Sequence, residues 1–69
     1  MSFNLKKIEE YSISLYAQMQ NESYTFMDLL QLSKLRESEL CLVLIQLMRE
    51  DKIKQIVKGK NISYKKIAI

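Results

Sequence analysis

The chain contains no histidine and no proline, a single glycine (Gly59) and a single cysteine (Cys41). Without histidine there is no Ser-His or Cys-His nucleophile pair and no imidazole-ligated metal. One cysteine forms neither an internal disulfide nor a thiolate cluster. One glycine cannot build a glycine-rich phosphate loop. The paired carboxylates Glu9–Glu10 and Glu37/Glu39 remain as acid–base candidates, but both pairs read as solvated helix faces. The chain therefore reads as a non-enzymatic protein with no metal, no cofactor and no small-molecule substrate. Long apolar segments are also missing. The longest unbroken run is Leu40–Ile45, six residues, whereas a spanning helix needs about 20. Met1 suggests a natural start. The stretch from Met1 to Lys7 leads into a charged amphipathic segment, not the apolar core of a secretory signal, so a cytoplasmic or nuclear location is the default, cytoplasmic first.

What is present describes one small folded domain, 1–69. Of the 69 residues, 48% are apolar and 28% charged, too apolar for a disordered tail. At this size folding buries only roughly 60% of the surface the unfolded chain exposes, so large apolar residues outside the core call for a reason. The formal net charge of +3 hides a division. Residues 1–50 carry five basic and seven acidic side chains, while residues 51–69 carry six lysines and Asp51 alone. A cationic terminal element on a mildly acidic body points to phosphate backbones or acidic protein surfaces. The plainer alternative is a hairpin kept soluble by lysines.

From Asn4 to Gln20 the pattern is helical, with Leu5, Ile8, Ser12, Leu15, Tyr16 and Met19 on one face and Ser2 or Asn4 as the cap. Asn21–Ser23 is a polar turn and Tyr24–Phe26 a short β-prone step. Thr25 and Asp28 have capping-box spacing, predicting a second helix from Phe26 to Leu32 that buries Phe26, Leu29 and Leu30. Ser33–Arg36 is a break in which Leu35 plugs the gap between helices. A third helix runs from about Glu37 to Glu50, with acidic residues at the positive end of its dipole and Arg36 as a poor cap. Two β-prone runs follow, Ile53–Val57 and Ile62–Ile67, around a turn at Lys58–Asn61. Their imperfect alternation leaves two options open, a bulge or a ribbon apolar on both sides.

The order helix, strand, helix, turn, helix, hairpin predicts an α+β fold, a winged helix-turn-helix with three helices, a short strand and a C-terminal β-hairpin wing. The segment Leu47-Met48-Arg49-Glu50-Asp51-Lys52-Ile53 and Leu35 of the turn resemble a small bacterial winged-helix family of unknown function, and the likeness extends weakly from Leu15 to Tyr64. It departs at Ile45-Gln46, where the resembling sequences tend to have Gly-Trp, and at Arg36, where they favour an Asp or Ser cap. The resemblance implies the fold and leaves activity open.

Function turns on the third helix. Leu40, Leu44, Leu47 and Met48 make its core stripe. The opposite face carries Ser38, Leu42, Ile45 and Arg49, flanked by Val43 and Gln46 on one side and by Cys41 and Glu37 on the other. A DNA-reading helix presents Arg, Lys, Asn, Gln or Ser to base edges; large aliphatics beside Glu37 and Glu39 suit that poorly. Two functions follow. The leading one is a DNA-associated binding module of transcription-regulator type. It would make phosphate contacts through the wing, using Lys54, Lys58, Lys60, Lys65 and Lys66, with Arg49 and Lys52 at its base. The alternative is a protein-interaction or homodimerisation module using Ser38, Leu42, Ile45 and Gln46, unless helix one simply folds over that face. Cys41 reads as a small buried hydrophobe.

Overall fold

The computed structural model describes residues 5–67, so the candidate caps Ser2 and Asn4 lie outside the described residues. The first helix, α1, spans Leu5–Gln18. Ile8, Ser12 and Leu15 are buried along it, and Met19 continues the stripe one residue beyond its end. Ser12 is tolerated there because its hydroxyl donates to the Ile8 carbonyl at 2.8 Å, which satisfies a polar group that would otherwise be costly to bury. Leu5, expected on this face, is exposed instead, since the first turn projects past a core that begins at Ile8.

Strand β1 is Tyr24–Thr25 and helix α2 is Phe26–Ser33. The capping box forms as expected. Thr25 Oγ1 accepts from the Asp28 N–H at 3.1 Å, and the Thr25 N–H donates to Asp28 Oδ2 at 3.0 Å. Leu29 is fully buried, while Phe26 and Leu30 pack half-buried against the core. Lys34 ends α2 in the left-handed region (φ 60°), donating its N–H to the Leu30 carbonyl at 3.0 Å. Leu35 then turns inward against the core, its N–H held by Ser33 Oγ at 3.2 Å.

Helix α3 spans Glu37–Arg49. Arg36 has no side-chain acceptor, yet the helix start is still tied: the Arg36 N–H donates to Glu39 Oε1 at 3.0 Å, the reach-back half of a capping box. The buried stripe is Leu40, Val43, Leu44 and Leu47. Val43 is therefore core and not flank, and Met48 is only half-buried. The reason is helical drift. Each step of four residues advances about 40° around the axis, so the row through 40, 44 and 48 slides off the face that 40, 43, 44 and 47 keep together. Cys41 is exposed, correcting its assignment as a buried hydrophobe; it lies on the same flank as Glu37.

The exit from α3 aims everything that follows. Lys52 donates its N–H to the Leu47 carbonyl at 3.0 Å and Asp51 to the Met48 carbonyl at 3.1 Å, with Asp51 in the left-handed region (φ 58°). These are the two bonds of a Schellman motif, with aspartate where glycine is usual. The chain then runs into β2 (Ile53–Lys58) and β3 (Asn61–Lys66), joined by Gly59 and Lys60. Gly59 supplies the positive φ (61°) of this two-residue loop. The antiparallel ladder is continuous from Ile53↔Lys66 to Lys58↔Asn61, so there is no bulge and the ribbon is two-sided. β1 pairs with β3 at Tyr24↔Tyr64 and Thr25↔Ser63, giving the sheet order β1-β3-β2. Three helices, a short strand and a terminal hairpin in this order form a winged-helix-like α+β fold.

Two surface positions test the local account. Thr25→Ala should lower stability by about 1 kcal/mol, whereas Lys34→Gly, relieving a left-handed non-glycine residue, should raise it by about 0.5–1 kcal/mol. Thermal unfolding followed by circular dichroism separates them, as the midpoint moves about 4–8 °C per kcal/mol in a domain of this size.

Candidate nucleic-acid interface

The wing's two faces differ in chemistry because side chains alternate along a strand and cross-strand partners share a face. Ile53 is buried, so its face looks toward the body. That face carries Ile53, Gln55 and Val57 from β2, and Ile62, Tyr64 and Lys66 from β3, with Tyr24 of β1 beside Tyr64. The outward face carries Lys54, Ile56 and Lys58 against Lys65, Ser63 and Asn61, with Thr25 beside Ser63. Lys60 occupies the loop.

The seven expected cations therefore separate into three groups. Lys54, Lys58 and Lys65 share the outward face, with Lys60 at the tip; among the described residues none of these four pairs with a carboxylate. Lys54 and Lys65 are directly opposite one another, an arrangement of like charges that weakens a ladder and that an anion lying across both would relieve. Lys66 and Lys52 are on the other side, engaged with α1: their ammonium groups lie 4.3 Å and 5.6 Å from the centre of the Tyr16 ring, within cation–π range. Lys52 also lies 3.8 Å from Glu50 Oε1. Arg49 stands apart at the end of α3, exposed, next to Gln46 and Glu50, where Gln46 Nε2 donates to Glu50 Oε2 at 3.5 Å.

The α3 face presents different chemistry. Ser38, Cys41, Ile45 and Arg49 are exposed, with Ile45 at 50%. Leu42 and Gln46 are half-buried, and Leu42 packs against the core. Of the two carboxylates at its start, Glu39 is folded back on the Arg36 N–H and Glu37 is exposed. The residues that sequence reasoning did not bring out are Tyr16, which holds two of the wing lysines to the body, and the exposed pair Val57 and Ile62. A tyrosine separated from the lysine ribbon by two intervening helices leaves no mark at any fixed spacing. Among the described residues, no three Cys, Asp or Glu side chains converge as a metal site, and no helix is long and apolar enough to cross a membrane.

The opposed lysines make a stability prediction. Lys65→Glu places a carboxylate opposite Lys54 and should raise stability by about 0.2–1 kcal/mol at low ionic strength, the gain fading as salt is added. Urea titrations at two salt concentrations read this directly. Comparison with protein-family models, with curated proteins and with solved structures found no match for this chain.

Proposed function

We propose that this chain is a non-enzymatic winged-helix binding module that associates with double-stranded DNA through its wing. The observation that carries the proposal is the outward lysine face: Lys54, Lys58 and Lys65 together, Lys60 at the tip, and no carboxylate anywhere on the hairpin. Four cations on a narrow ribbon suit the phosphate backbone, which binds by charge and releases counterions. The α3 face, with Ile45, Cys41 and Glu37, has little to read base edges with, so the expected binding is largely independent of sequence. Lys52 and Lys66, held at Tyr16, and Arg49, beside Glu50, contribute less than the outward four.

Fluorescence anisotropy with a short duplex tests it. The logarithm of the binding constant should fall with the logarithm of salt with a slope of about −3.6, for four phosphates neutralised. Lys54→Ala, Lys58→Ala, Lys60→Ala and Lys65→Ala should each flatten that slope by about one unit, and Lys66→Ala by much less. No binding at low salt removes the proposal.

A second reading, a homodimer through the outward face of α3, is favoured by Ile45, half exposed at the centre of that face. Because Leu42 packs against the core, Ile45→Ser is the clean probe. It should convert a concentration-dependent dimer to monomer in sedimentation equilibrium without lowering the unfolding midpoint. A wild-type chain that is monomeric at every concentration excludes this reading.

A further inference from the structure

The sheet ends on an open edge. Among the described residues, β2 has β3 on one side and no strand on the other. The Ile67 N–H donates to the Lys52 carbonyl at 3.0 Å, which sets the phase of the ladder: bonded pairs fall at Lys54–Lys65, Ile56–Ser63 and Lys58–Asn61. The backbone N–H and C=O groups of Gln55 and Val57 therefore point away from β3, along the free edge, and both residues are exposed. Such an edge is a template for another extended chain. Its two faces are chemically unlike. Val57 is 60% exposed and its cross-strand partner Ile62 45%, an apolar pair on the body-side face. On the other face Lys54 and Lys58 stand on either side of the half-buried Ile56, with Lys65 behind Lys54.

We propose that the β2 edge accepts an extended acidic segment of a partner protein as a fourth strand. A strand laid there alternates its side chains between the two faces. Apolar residues pack beside Val57, which Ile62 backs from β3, and the intervening carboxylates meet Lys54 and Lys58. The occupant is thus an extended segment in which acidic and apolar residues alternate. Charge argues against a second copy of this chain: pairing β2 with itself sets Lys54 and Lys58 against lysines, which is destabilising. This inference stands apart from DNA association, although the two compete because both use Lys54 and Lys58.

The test uses a fluorescein-labelled synthetic peptide alternating glutamate and valine, with an alternating lysine–valine peptide as control. The glutamate peptide should bind, and hydrogen exchange read by NMR should slow at the Gln55 and Val57 amides. Gln55→Pro should abolish binding while keeping the fold, because that N–H is not used in the ladder. If Gln55→Pro does not fold, the double variant Lys54→Glu/Lys58→Glu decides: it should reverse the preference toward the lysine peptide by about tenfold or more. Equal binding of the two peptides to the wild-type chain overturns the proposal. So does protection on α3 in place of β2, or protection of Gln55 and Val57 by self-association with no peptide present.

Discussion

Ile53 leaves the last turn of α3 and is buried at once. Because side chains alternate strictly along a strand, seating this one residue in the core assigns every other side chain of the wing. Val57 shares its face, while Lys54 and Lys58 take the opposite one, and the continuous register carries the assignment across to Lys65 and Lys66. A slip of one residue would exchange the two faces and bring Lys54 against the body. The placement of charge on this protein therefore depends on one apolar contact, and the Schellman turn at Asp51 delivers Ile53 to it.

The core that receives Ile53 comes mainly from α3, through Leu40, Val43, Leu44 and Leu47, closed by Leu29 of α2 and by Ile8, Leu15 and Met19 from α1 and its end. With so little interior, the domain also holds its elements by bonds at the joints. Tyr24 illustrates this: its ring packs on the core from β1, and its hydroxyl accepts from the Gln20 N–H at 2.8 Å, tying the strand to the end of α1. Tyr16 does the same for the wing, holding Lys66 and Lys52 over its ring. The lysines divide by role as a result. Those nearest the body stabilise the hairpin's attachment, and those on the outward face and at the tip remain available to an anion.

Much of the architecture could be read from spacing. Thr25 and Asp28 announce the start of α2 because a capping box is a bond pattern three residues long. Gly59 announces the turn because a two-residue loop needs a positive φ. The same local logic failed where the deciding partner lay elsewhere in the chain. Val43 and Met48 exchanged places because the wheel of an isolated helix does not say which of two nearly equivalent stripes its neighbours cover. Residue type marks Cys41 as a core residue, and its position on the α3 flank exposes it. Leu42 and Ile45, adjacent on the wheel, divide between a half-buried contact and an exposed one, and only packing against the rest of the molecule distinguishes them.

Local pattern, then, was sufficient for the elements, their order, the α+β class and the concentration of lysine after Asp51, because caps, turns and periodicity act over a few residues. Non-local packing was needed for the division of the lysines between Tyr16 and the outward face, and for the open edge of β2. Those depend on which side of the ribbon meets the body and on β1 reaching β3 instead of β2, contacts between residues far apart in the chain that no window of sequence contains.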